Sequence, residues 1–419
     1  MTARNGATTE GGPLAGVRVL DCSTMIAAPT TAATLADFGA DVVKIEKPGT
    51  GDHARRYGPQ RDGVGLYWKA LGRNKRSVAL DLHHPEAQAL LLRWLPGFDV
   101  FIENFRPGTL ERWNLGPEQL HAAAPHLVVL RMTAFGQLGP YHDRAGFGTL
   151  AEAMSGLPSI SGWDDRPPLL PAFPLADVMA GQLAAAAVLA AYVRRLGGGD
   201  GETIDFAIYE AVMKLVESQI VEYAANGTLH ARLGNRMEDV APRGAYRCGD
   251  GRYVALSGST QEVAQRVLRT IGGDPLVDDP RFRTNVERVQ NAEALDELIE
   301  EFCGRHSRDE AIAALTGAGC AAGPLETIDS LFENPQIVAR GSLVTLADPE
   351  LGTVTIENAI PRFARAGAPE LRPGPTEVGA HTAEVLSHDL GLDEAELRRL
   401  AASGALALAP DRDRETSRT

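Results

Sequence analysis

A chain of 419 residues, 44% hydrophobic and 23% charged, exceeds what one ordinary core accommodates, so two domains or one large elaborated domain are expected. A net charge of -14 disfavours a general nucleic-acid surface while leaving room for a local basic pocket, and no apolar run reads as long and charge-free enough to cross a bilayer. Cys22, Cys248, Cys303 and Cys320 stand far apart without paired spacing or neighbouring histidines, which argues against disulfides and a metal site and leaves a small-molecule partner.

The opening MTARNGATTEGG is small and polar and lacks the apolar core of a signal peptide, so a loose tail and a cytoplasmic location are expected. GVRVLD then reads as a buried strand, Pro29 sets the first turn of a helix through TTAATLADF, and Gly39 ends it before the strand DVVKIE. The alternation continues with SVALDL, the helix PEAQALLLRWL, the strand DVFIEN, the helix GPEQLHAAA and the strand LVVLRMTAF. Strands and helices in turn predict an α/β architecture with a Rossmann-like parallel sheet, its ligand sites at the carboxyl ends of the strands.

Asp177 opens the alanine-rich VMAGQLAAAAVLAAYV, read as a long buried helix. A glycine-rich turn leads to the strand TIDFAI and the helix EAVMKLVESQIVEYAANG, and the character changes near Asn226. Two strands joined at Gly249, Asp250 and Gly251 form a hairpin signal, followed by helices at QEVAQRVLRTI, AEALDELIEEFCGR and DEAIAALTGAG. The expected organisation is a large α/β domain over 1–225, a smaller α+β domain over 226–330, and a return to the large domain over 331–419 with a polar, disordered end.

The loop CSTMIAAP after the first strand lacks the glycines with which a backbone embraces a pyrophosphate, so a nicotinamide dehydrogenase is a weak reading. Basic residues collect beyond the strand ends instead: Lys47, Arg55, Arg56, Arg73, Lys75, Arg76, Arg106 and Arg112. Such a set can receive the phosphates of a large anionic molecule, although any one member is more often a solvated surface charge. No nucleophile elbow, P-loop or H-E-x-x-H occurs. Asp177 at a helix start is by position most often a cap, yet the positive end of the helix dipole also keeps such a carboxylate ionised and fit to attack a carbonyl.

The blocks PLAGVRVLDCSTMIAAPTTAATLADFGADVVKIEKPGTGD, NKRSVALDL, ENFRPGTLERWNLGPEQL, GFGTLAEAMSGL, PLADVMAG and GETIDFAIYEAV together resemble the family III CoA transferases, also called the CaiB/BaiF family. PRGAYRCGDGRYVAL, GCAAGPLETIDSLFENPQIVARG and AHTAEVLSHDLGL extend that resemblance over nearly everything outside the tails. It implies an interlocked-ring homodimer, each chain threaded by the other, a topology that periodicity does not predict. It implies no permanently bound cofactor, with coenzyme A as cosubstrate, acyl-CoA and carboxylic acids as partners, and neither nucleic acid nor membrane. Asp177 matches the family's nucleophile; Ile26 and Ala27 by backbone, Lys47, Leu80, Asn104, Phe105 and Arg112 match its CoA contacts.

A glycine-rich loop found in formyl-CoA transferases has no counterpart in LGNRMEDVAPRGAY, which speaks against formyl-CoA as substrate. The GFGTLAEAMSGLPSISG block resembles enzymes acting on dicarboxylic acids, and Arg144 and Arg243 are candidate partners for a second carboxylate. The racemase branch of the family places a histidine base where this chain has Phe147, which moves no proton. The expected activity is therefore acyl-CoA:carboxylate CoA transfer through aspartyl intermediates. An isomerase or intramolecular transferase of the same fold, and a noncatalytic acyl-CoA binder, stand as the alternatives.

Overall fold

A computed structural model describes residues 11–409, and the polar ends marked as loose lie for the most part outside that range. The chain divides into two compact units, one of 11–155, 171–215 and 338–409, the other of 156–170 and 216–337. The second unit thus begins about ten residues before the expected 226, ends near the expected 330, and also takes in 156–170, which the sequence reading placed in the large domain.

The larger unit is built on the strands β1 (Arg18–Asp21), β2 (Asp41–Glu46), β3 (Lys75–Leu80), β4 (Val100–Glu103), β5 (Val128–Thr133) and β6 (Glu202–Ala207). They pair in parallel in the order β3-β2-β1-β4-β5-β6, and the two-residue strand Leu406–Ala407 adds antiparallel beside β3. Except in the edge strand β6, where only Ala207 is buried, their β-branched and apolar runs are buried almost throughout, as strands covered on both faces must be. Leu20, Val43, Val78, Phe101 and Val129 point to one face, where Leu91, Trp94, Leu386 and Leu400 close the core.

The other face carries α1 (Ala27–Asp37), every residue of which is buried. After α2 (Gly148–Met154), the long helix α3 (Leu175–Leu196) lies against α1. Their close approach depends on Gly181: a Cβ there would stand 2.6 Å from both the Ala27 carbonyl oxygen and the Thr30 Cβ. The Thr31 hydroxyl seals the contact by donating to the Gly181 carbonyl at 3.0 Å. Contrary to the sequence expectation, α3 is long and apolar enough to span a membrane, with a mean hydropathy of 1.5 over its best window. Ala180, Ala184, Ala185 and Val188 are buried within this unit, while 33% of that window is buried in all.

The helix expected over 210–227 is divided into Ile208–Met213, a 3-10 turn at Lys214–Val216 and Glu217–Asn226. Its first part buries Ile208, Ala211 and Val212, whereas its last part buries no residue, and the unit boundary runs through the break. In the smaller unit the expected hairpin is formed by β7 (Arg243–Arg247) and β8 (Tyr253–Ser257), extended by β9 (Ala321–Pro324). Helices Gln261–Gly272, Ala292–Gly304 and Arg308–Gly317 cover it through Val267, Leu268, Ile299, Phe302 and Leu315.

Candidate active site

The strand order reverses between β1 and β4, so the loops leaving these two strands open a crevice at the carboxyl edge of the sheet. The Thr24 N–H donates to the Asn104 amide oxygen at 2.8 Å, and the Asn104 amide nitrogen donates back to the Thr24 carbonyl at 2.7 Å, which clamps the two loops together. A buried polar network supports the first loop where a glycine-rich turn is missing. Lys44 donates to the Ser23 carbonyl and lies 3.2 Å from Asp52 and 3.8 Å from Asp21. Lys75 lies 3.0 Å from Asp21 and donates to the Pro29 carbonyl at 2.7 Å. Asp52 accepts from the N–H of Met25, a residue held at a positive φ of 68°.

Asp21, Lys44, Asp52 and Lys75, the charged members of this network, are all buried. Burial acts to raise the Asp21 pKa, but Lys44 and Lys75 outweigh it and hold the carboxyl below its ordinary range. Burial likewise opposes the charge on Lys44, and the carboxylates of Asp21 and Asp52 overcome it, so that its pKa rises. Lys75 ends lower than usual because burial, together with the Lys44 charge, exceeds the pull of Asp21.

This arrangement corrects the reading of the basic residues as one phosphate-binding set. Arg55 forms a fork on Glu46 at 2.7 Å, Arg73 does so on Asp37 at 2.7 and 2.6 Å, and Arg76 pairs with Asp41. With Lys75 buried on Asp21, these four charges hold the fold. Lys47, Arg56, Arg106 and Arg112 are exposed and form no ion pair among the described residues.

A cavity of about 160 Å³ lies over the ends of β1, β2 and β3. Lys47, Leu80 and Phe105 line it, with Cys22, Thr24, Ile45, His83 and Trp113. The aromatic wall, in which Trp113 meets Phe105 at 5.1 Å and His83 at 4.5 Å edge-on, was not identified from sequence. Glu103 fixes the Phe105 wall by accepting its N–H at 2.7 Å and the Arg131 guanidinium at 2.8 Å. Burial pushes the Glu103 carboxyl up to about 7, against the opposing pull of Arg131. Ile26 and Ala27 are buried at the start of α1 and line neither this cavity nor the next. Arg112 also lies outside both, donating to Thr109 at 3.0 Å from an exposed helical turn.

A second cavity, of about 170 Å³, follows the ends of β4 and β5. Asn104, Phe105, Arg106, His142, Arg144 and Phe147 line it, and the Arg144 guanidinium stacks 3.6 Å over the Tyr141 ring. Phe147 is the residue from which α2 begins. Arg243 belongs to the smaller unit, where it donates to the Asn235 carbonyl at 2.8 Å and borders a hollow of about 460 Å³ over β7 and β8.

Asp177 is the third residue of α3, and Gly148 leaves room for its carboxyl group. A Cβ at Gly148 would sit 2.7 Å from Asp177 Oδ2 and 2.8 Å from its Cγ. The Asp177 side chain does not cap its helix. That duty falls to Glu152 of α2, a buried carboxylate that accepts the Ala176 N–H at 3.1 Å. Burial first, and the neighbouring Glu152 charge second, raise the Asp177 pKa from 3.8 to about 6. The helix start is expected to keep this carboxylate ionised; lost hydration and a like charge act against that and raise its pKa. Tyr67 is also near enough to feel the Asp177 charge, which adds to the effect of burial in raising its own pKa.

The family model described as CoA-transferase family III matches residues 14–382. Succinyl-CoA--D-citramalate CoA-transferase of Chloroflexus aurantiacus is 39% identical over 391 residues, covering 93% of this chain and 97% of that protein. The mouse succinyl-CoA:glutarate CoA-transferase is 30% identical, over 94% of this chain and 90% of its own. The crystal structure of a CAIB/BAIF family protein from Brucella suis superposes with a TM-score of 0.80 at 32% identity, covering 91% of this chain and all of that one. The matched span contains the switch-point loops, both cavities and the Asp177 turn, and the chain belongs to CoA-transferase family III.

Proposed function

We propose that this chain transfers coenzyme A from a dicarboxylic acyl-CoA to a free carboxylic acid, with Asp177 as the covalent nucleophile. The observation that carries the reading is a partly exposed carboxylate at a helix start that caps nothing, seated on Gly148 beside the Phe147 end of a cavity. The two relatives above are named for succinyl-CoA with D-citramalate or glutarate, all of them dicarboxylic, which supports that substrate class.

An Asp177 oxygen attacks the thioester carbonyl, forming a mixed anhydride and expelling CoA thiolate. The thiolate then attacks the aspartyl carbonyl, forming an aspartyl-CoA thioester and releasing the donor acid with one oxygen from Asp177. The acceptor carboxylate attacks that thioester, and the returning thiolate takes the new acyl group and restores the aspartate. Covalent catalysis divides one hard exchange into easier ones, and the exchange conserves the thioester without ATP, metal or a resident cofactor. CoA is held by Lys47, Leu80, Asn104 and Phe105, with Arg112 and the Ile26 and Ala27 backbone completing its contacts.

A racemase needs a second proton-moving group, and Phe147 supplies none at its position. The chain acts as a homodimer of interlocked rings, consistent with the exposed apolar side chains Leu183, Val193 and Leu196 along α3. The experiment is a panel of CoA esters and free acids, scored by mass for new CoA thioesters, with light scattering for the dimer. Transfer from succinyl-CoA to a second dicarboxylate is expected; deuterium uptake at the α carbon without any transfer would overturn the assignment.

A further inference from the structure

Glu152 has no role in the chemistry above, yet it is the charged group best placed to act on it. The residue is 2% exposed and lies in α2, whose first residue, Gly148, supports the Asp177 carboxyl. One oxygen accepts the N–H of Ala176, the residue next to Asp177. The titratable groups facing Asp177 are Glu152 from α2 and Tyr67 from the helix Leu66–Leu71. From α1, Ala27 and Thr30 meet the next turn of α3, and neither titrates.

We propose that Glu152 is a positioning residue for CoA transfer: it anchors the first turn of α3 by accepting the Ala176 N–H and, as a buried like charge beside Asp177, makes the carboxylate easier to acylate. This rests on Asp177 being the nucleophile. When an Asp177 oxygen bonds to the acyl carbon and the thiolate leaves, the negative charge passes from the aspartate to sulfur, and repulsion from Glu152 is relieved. The free carboxylate is thereby raised in energy relative to the acylated enzyme. Burial of Asp177 acts in the same direction, and Glu152 is the cause next to it in size. A hydrogen bond alone would need no charge, since an amide oxygen can accept the Ala176 N–H equally well.

The test compares wild type, Glu152→Gln and Glu152→Asp in full-length protein, following the pH profile of kcat/KM with one donor and one acceptor so that substrate ionisation is common to all. Glu152→Gln keeps the acceptor and removes the charge: the acid limb should move to lower pH by about half a unit or more, with kcat lowered severalfold. Glu152→Asp keeps the charge but shortens the reach to Ala176: the limb should stay near that of wild type while kcat falls. An unmoved limb in Glu152→Gln, or an equal movement in both variants, overturns the proposal. Should Glu152→Gln not fold, a wild-type limb in Glu152→Asp supports it, and a limb moved to lower pH refutes it. Hydroxylamine trapping in the wild type separates the two readings, because an unmodified Asp177 during turnover would sink the nucleophile assignment itself.

Discussion

Replacing Asp177 with Asn should make the protein more stable at neutral pH while abolishing transfer. The carboxyl pKa rises from 3.8 to about 6, so the folded chain holds its proton to higher pH than the unfolded chain. Folding is therefore penalised once the pH exceeds 3.8; the penalty grows to about pH 6 and is constant above it. At about 1.4 kcal/mol per pH unit, the full penalty is about 3 kcal/mol at pH 8, roughly half that at pH 5, and near zero below the unfolded value. Partial exposure makes this an upper figure. The assay is denaturant unfolding of wild type and Asp177→Asn at matched pH values, where the difference isolates this one group from the other carboxylates. If Asp177 were instead stabilising the helix terminus, neutralising it would cost about 0.3–1 kcal/mol, so a variant equal to or less stable than wild type at pH 8 refutes the argument.

Gly148→Ala should lower kcat by at least about tenfold with little change in folding, because the new methyl meets the Asp177 carboxyl at 2.7 Å and misplaced reacting atoms are costly; steady-state kinetics and a melting curve check both halves. Lys44→Met should destabilise the larger unit by about 3–5 kcal/mol, read from urea unfolding, since it leaves Asp21 and Asp52 buried with one cation fewer. Phe105→Ala should raise KM for the CoA ester more than it lowers kcat, since its ring forms part of the aromatic wall of the cavity over β1 to β3; an unchanged KM contradicts the cavity assignment.

The alternation of strands and helices was legible because the inner strands, buried on both faces, are written as short apolar runs. Lateral order was not, since periodicity carries no information about which strands become neighbours. The two-residue strand Leu406–Ala407 is too short to leave a pattern at all. Asp177 could be singled out, but its proton affinity depends first on its burial and then on Glu152, and a helical Glu that ends buried looks no different in sequence from one facing water. The same limit misassigned Arg55, Arg73, Lys75 and Arg76: the carboxylates that take them up lie 9 to 54 residues away along the chain. Of the residues that line the cavity, Leu80 and Phe105 were singled out by motif blocks alone, and Lys47 also by its charge beyond a strand end.

The most direct test of the aspartyl route follows oxygen atoms. With an acceptor acid labelled by heavy oxygen in its carboxylate, each full cycle should leave one labelled oxygen on Asp177 and deliver it to the donor acid released in the next. Label in the Asp177 peptide and in the freed donor acid is the predicted result. Sustained transfer with neither labelled would contradict the account.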